Sequence, residues 1–228
     1  MAEITVDAAD GGSFMAYVAE AATGSAPGVL VIQEIFGVNA VMRGICDEIA
    51  GQGYVAVCPD LFWRQEPGIQ ITDQSEAEWQ RAFELYQGFD EAKGVDDLKA
   101  TLAAMRGLQR CSGAVASIGY CLGGKLAYLM ATRSDAECNV SYYGVGIDAA
   151  LDEAGDIHKP LLMHIAEEDG FVDKAAQAKI KAALSAKPLV TIHSYANVDH
   201  AFARTNGTNW NEPAATLAND RTAAFLKN

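Results

Sequence analysis

A thiol stands alone between glycines at Gly119-Tyr120-Cys121-Leu122-Gly123-Gly124. Ahead of it runs the apolar, β-branched Val115-Ala116-Ser117-Ile118, and behind it Lys125-Leu126-Ala127-Tyr128-Leu129-Met130 reads as a helix. Strand, sharp turn and helix with a reactive residue at the turn is the pattern G-x-S-x-G, with cysteine in the serine's place. The glycines let strand and helix approach closely, so the central side chain points into open space and the Leu122 N–H faces any oxyanion formed there. A thiol so placed suits nucleophilic attack on an acyl carbon. The bare pattern is short enough to arise by chance, and a buried structural cysteine is the alternative, so partners must decide.

Two partners occur in a compatible order. Asp169 lies in Glu167-Glu168-Asp169-Gly170, just past an apolar run from Pro160 to Ala166. His200 lies in Asn197-Val198-Asp199-His200-Ala201-Phe202-Ala203-Arg204, just past the run from Leu189 to Tyr195. Nucleophile, acid and histidine, each on a loop after a later strand, form a combination far more specific than any one of them. His200 then takes the proton of Cys121, and Asp169 fixes the imidazole tautomer and stabilises its charged form. Glu167 and Glu168 compete for the acid role, but the Asp-Gly turn favours Asp169. Asp199 is expected to cap its loop. His158 in a polar loop, and His164 and His193 inside strands, read as structural. The Leu122 N–H and a second N–H from the segment after the Gly28 strand, at Ile35, would hold the oxyanion. A thiolate leaves more readily than an alkoxide, so activated acyls such as enol esters, thioesters or strained lactones suit it better than amides.

The elements that must position these groups are legible. Ile4-Thr5-Val6 and Phe14 to Val18 alternate around Gly11-Gly12 as an antiparallel hairpin. Gly28 to Gln33 is an unbroken apolar run, as in a strand covered on both faces. It ends in Gln33-Glu34-Ile35-Phe36-Gly37-Val38-Asn39, where acidic and aromatic residues meet at the place a ligand crevice opens in a parallel sheet. A helix with Val41, Ile45 and Ile49 on one face follows, then the strand Tyr54 to Pro59, a long loop from Asp60 to Thr72, and a helix capped at Ser75 and running through Phe89. A further helix aligns Val95, Leu98, Leu102 and Met105. After the elbow come strands near Cys138–Tyr143, Pro160–Ala166 and Leu189–Tyr195, with helices from Ala175 to Ala186 and from about Pro213 to Leu226. Strands alternate with helices, which predicts one α/β domain over residues 1–228, a doubly wound, mostly parallel sheet.

Composition narrows the function. A formal net charge of −13 leaves no basic stripe for nucleic acid or an anionic membrane. Five cysteines without a C-x-x-C pair indicate neither a disulfide framework nor a zinc site, and no metal or organic cofactor is expected. The N-terminus carries no leader pattern, so a reducing, cytoplasmic setting is expected.

The motifs around Glu34, Cys121, Tyr142-Tyr143-Gly144-Val145-Gly146 and His200-Ala201-Phe202-Ala203-Arg204 resemble those of the dienelactone hydrolases (carboxymethylenebutenolidases), over nearly the whole chain. The resemblance implies an α/β-hydrolase fold without a large cap, a monomer, and opening of a dienelactone to maleylacetate. It also implies roles that the residues alone do not give. Glu34 holds the resting thiol neutral by like-charge repulsion and then accepts its proton, and Arg204 clamps a substrate carboxylate. Phe36, Trp79, Arg81 and Tyr142 are the further expected substrate contacts. Trp79 stands where the family has an arginine, with Arg81 two residues later, about 200° around a helix. Ala201 replaces a serine usual after the histidine. Hydrolysis of another small ester, lactone or thioester is the nearest alternative, and a non-catalytic redox or ligand-binding protein with Cys121 as an oxidisable thiol the remote one.

Overall fold

The computed structural model describes residues 2–22 and 24–227. Among the described residues eight strands run in the order β1-β2-β4-β3-β5-β6-β7-β8 and two compact units divide between Ser117 and Ile118, inside β5 (Cys111–Tyr120).

In the first unit β1 (Ala2–Asp7) and β2 (Ser13–Ala19) form the expected antiparallel hairpin, with Gly11 and Gly12 at φ 99° and 83° in the turn. β2 pairs antiparallel with β4 (Val55–Pro59), and β4 pairs parallel with β3 (Ala26–Ile32). Every residue of β4 and all of β3 but Pro27 is buried, so alternation gives way to continuous apolar runs. The Asn39 side chain caps α1 (Ala40–Gly51) by accepting the Val41 and Met42 N–H groups. That helix buries Met42, Cys46, Ile49 and Ala50, which corrects the face expected from Val41, Ile45 and Ile49. Both stripes are apolar, and the buried one keeps Ile49 while turning Val41 and Ile45 toward its edge. Ser75 caps α2 (Glu76–Gln87), which stops at Gly88, short of Phe89; α3 (Glu91–Arg106) buries the expected stripe.

In the second unit α4 (Leu122–Arg133) follows the elbow. β6 (Asn139–Tyr142), β7 (Leu161–Ala166) and β8 (Val190–Tyr195) pair in parallel, Tyr142 opposite His164 and His164 opposite His193. The β6–β7 connection holds two 3-10 turns, Ile147–Ala149 and Leu151–Asp156. α5 (Lys174–Leu184) and α6 (Glu212–Phe225) complete the unit. Among the described residues no helix is long and apolar enough to cross a membrane.

Candidate active site

Cys121 sits between β5 and α4 at φ 55° and ψ −114°, a backbone state that costs a side-chain-bearing residue on the order of 1–3 kcal/mol. The surroundings over-determine it. The Cys121 N–H donates to Tyr142 O at 3.1 Å, and Cys121 O accepts from Gly124 and Lys125 at 3.0 and 3.2 Å. A Cβ on Gly119 would lie 1.8 Å from Gly123 O, and one on Gly124 would lie 2.4 Å from Tyr142 O, so both positions require glycine for close approach. Leu122 is the first residue of α4, and its N–H is one of the donors a helix start cannot use internally.

His200 and Asp169 meet beside the elbow. His200 Nδ1 lies 3.1 and 3.0 Å from Asp169 Oδ1 and Oδ2, both side chains being buried. Asp169 Oδ1 also accepts the Phe171 and Val172 N–H groups at 2.8 and 3.1 Å, which fixes the carboxylate from its own loop. With Nδ1 so occupied, His200 Nε2 has no nitrogen or oxygen partner among the described residues and is left for the Cys121 sulfur. Burial alone would strip the imidazolium of its proton. The charges and hydrogen bonds of Cys121 and Asp169 outweigh it and push the His200 pKa up to about 10. Glu168 instead pairs with Lys174 at 3.0 Å.

Two aromatic residues that sequence reasoning passed over frame the imidazole. Tyr143, at φ 39°, packs edge-to-face on His200 with centroids 5.1 Å apart, and Phe171 does so at 4.8 Å while 48% exposed. Tyr142, expected to contact substrate, is turned away. Its hydroxyl is 2.7 Å from Thr222 Oγ1 and 3.0 Å from Asn219 Oδ1 on α6, because adjacent strand residues point to opposite faces. The parity of β6 was the signal that could have distinguished the two tyrosines.

The strand histidines behave as structural ones. His164 Nδ1 lies 2.8 Å from Tyr195 Oη and Nε2 lies 2.9 Å from Thr222 Oγ1. Both ring nitrogens of His164 are therefore engaged by hydroxyl groups. Burial, then His193 and Arg221, pull the His164 pKa down to about 3.

In the first unit Glu34, Ile35 and Phe36 are buried in the segment between β3 and α1. This segment is fastened to the long loop. Ile71 N donates to Phe36 O at 3.1 Å, Asn39 Nδ2 donates to Ile71 O at 2.8 Å, and Gly37 is at φ 75° with Ile69 O where a Cβ would stand. Trp79 donates to Asp73 O and packs edge-to-face on Phe36 at 5.0 Å. Arg81, expected as a substrate contact, is held outward by Glu66 and Glu84 at 2.6 and 2.9 Å; its place on α2 puts it among carboxylates. Arg204 is buried in the second unit, four residues past His200. Among the described residues no group of three or more His, Cys, Asp and Glu side chains is placed to hold a metal ion.

Residues 14–228 match the dienelactone hydrolase family. The chain is 40% identical over 223 residues to the carboxymethylenebutenolidase of Pseudomonas putida, covering 98% of this chain and 94% of that one. It is 55% identical over 230 residues to a protein of Azospirillum brasilense provisionally named carboxymethylenebutenolidase, covering 100% and 98%. A solved structure from Klebsiella pneumoniae, provisionally described as a dienelactone hydrolase, superposes with a TM-score of 0.83 at 25% identity and covers 98% of each chain. A dienelactone hydrolase-like promiscuous phosphotriesterase shares the fold at a TM-score of 0.82 and 20% identity, covering 99% and 97%. The chain has the α/β-hydrolase fold and belongs to the dienelactone hydrolase family of hydrolases.

Proposed function

We propose that this hydrolase opens an activated lactone or enol ester through a thioester on Cys121, and that dienelactone, giving maleylacetate, is its substrate. The carrying observation is His200, gripped through Nδ1 by both Asp169 oxygens with Cys121 on its other side. Glu34 accepts the thiol proton, as the family resemblance implies, and His200 pairs with the thiolate. The thiolate attacks the lactone carbonyl carbon, and the negative charge passes to the carbonyl oxygen, held by the Leu122 and Ile35 N–H groups. Collapse breaks the ring C–O bond, and the departing enolate takes the proton of the His200 imidazolium, which leaves the imidazole neutral. His200 then removes a proton from water, whose oxygen attacks the thioester carbon; the C–S bond breaks, the acid is released, and the freed enol becomes the ketone. Arg204 answers the substrate carboxylate, with Phe36 and Trp79 as apolar contacts. The substrate is a small anion, the enzyme acts as a monomer in the cytoplasm, and no nucleic acid or membrane takes part.

A second reading, hydrolysis of a differently charged small ester or thioester, is favoured by the engagement of Arg81 with Glu66 and Glu84, which leaves it unsuited to a carboxylate. Ultraviolet-monitored hydrolysis of cis- and trans-dienelactone separates the two, with Cys121→Ala as the blank and a neutral aryl acetate alongside. Lactone turnover that vanishes in Cys121→Ala is expected. Turnover of the aryl ester alone establishes the second reading, and turnover that survives in Cys121→Ala refutes the thiol mechanism.

A further inference from the structure

Beside the acid lies a small cavity of about 10 Å³, lined among others by Ser141, Tyr143, Met163, Asp169, Val172 and Ile180. That is room for one water, and an internal water needs two or more polar partners to be held. Ser141 supplies one. Its side chain is on the face of β6 opposite to Val140 and Tyr142, 1% exposed, and its Oγ makes no hydrogen bond among the described residues. Leaving a hydroxyl buried and unsatisfied costs on the order of 1–3 kcal/mol, so a native site supplies a partner. Asp169 is the other. Its Oδ1 is crowded by the Phe171 and Val172 N–H groups and by His200, whereas among the described residues Oδ2 is bonded by His200 Nδ1 alone. An ionised carboxylate oxygen has lone pairs for a further donor.

We infer that a single ordered water occupies this cavity, accepting from Ser141 Oγ and donating to the Asp169 carboxylate, and that Ser141 is thereby a positioning residue for the acid. The water gives Oδ2 a donor to balance the two backbone donors on Oδ1, so the carboxylate plane stays aligned with His200 Nδ1. This role rests on the triad reading of the proposed function, but the water site itself does not.

A crystal structure at about 1.5 Å or better tests the site directly: a density peak within hydrogen-bond distance of Ser141 Oγ and an Asp169 oxygen is expected, and a dry cavity overturns the inference. The role is tested by an isosteric pair. Ser141→Val fills the space with methyl groups and expels the water; Ser141→Thr fills it equally but keeps a hydroxyl to face the carboxylate. Ser141→Val is expected to lower kcat about tenfold with KM within twofold, and Ser141→Thr to restore most of the loss. Equal kcat in wild type and both variants, or equal losses in both variants, would sink the positioning role. If Cys121→Ala keeps its hydrolysis, the triad reading fails instead, whatever the Ser141 pair shows.

Discussion

Asp199 Oδ1 accepts the Gly170 N–H at 2.8 Å, and through this bond the loop carrying His200 is tied to the loop carrying Asp169. The same oxygen accepts the His200 N–H at 2.6 Å, so one carboxylate sets the approach of both loops. Bonds to a charged acceptor contribute about 1.5–3 kcal/mol each. Asp199→Ala should lower kcat about tenfold or more, because the His200 to Asp169 geometry loosens without either residue changing. Asp199→Asn keeps an acceptor oxygen and should recover most of the rate. Steady-state kinetics of the two variants check this, and an alanine variant with wild-type kcat would remove the strap from the account.

Asp199 also shows how much of the site could be read before the fold was known. Its position beside His200 made a cap the natural expectation, since neighbouring side chains on a tight loop diverge. Residues whose role is fixed by local chemistry were legible in this way: the glycines around Cys121, the cap at Ser75, the buried runs of β3 and β4. Misreadings fell where two local patterns were equally good. Met42-Cys46-Ala50 and Val41-Ile45-Ile49 are both apolar stripes of α1, and only packing chooses between them. Tyr142 and Tyr143 are adjacent aromatics, and the strand's parity, set by its pairing, decides which meets His200. Arg81 was misread because Glu66 and Glu84, its partners, are brought to it by the loop and the helix together.

Steric rather than conformational demand should dominate the glycines of the elbow. Gly124→Ala gains up to about 1 kcal/mol in helix propensity, but its Cβ would be 2.4 Å from Tyr142 O and 2.8 Å from Gly144 Cα, backbone atoms that cannot step aside cheaply. A net loss of about 3 kcal/mol, or roughly 6–12 °C in Tm for a chain of this size, is expected. Gly146 has φ 83° yet meets only the flexible Lys125 side chain, at 3.6 Å or more, so Gly146→Ala should cost about 1 kcal/mol. Calorimetry of the two variants orders them, and the reverse order would contradict the crowding argument.

The buried His164 makes the fold acid-sensitive. Its folded pKa, about 3, lies below the ordinary value of 6.5, so the unfolded chain takes up the proton first as pH falls. Stability from this group is complete above pH 6.5 and is lost at about 1.4 kcal/mol per pH unit down to about pH 3. His164→Gln, which cannot titrate, should be less stable at pH 7 but lose less on acidification. Urea midpoints between pH 7 and 4 measure the difference; parallel curves for the two proteins would show that His164 is not the group responsible.

The two arginines should separate charge that serves the surface from charge that serves the substrate. Arg81 is exposed and already answered by Glu66 and Glu84, and exposed pairs of this kind contribute little. Arg81→Ala is therefore expected to leave Tm and kcat/KM for dienelactone unchanged within error. Arg204 is buried, and the proposed function gives it the substrate carboxylate. Arg204→Met should raise KM for the anionic lactone about 10–100-fold, the size of one charge-assisted contact, while a neutral aryl acetate changes by no more than about threefold. The ratio of the two effects is the informative quantity, because a general loss of fold lowers both substrates alike. Equal losses on lactone and aryl ester would mean that Arg204 acts through the fold, and that the substrate carboxylate must be answered elsewhere.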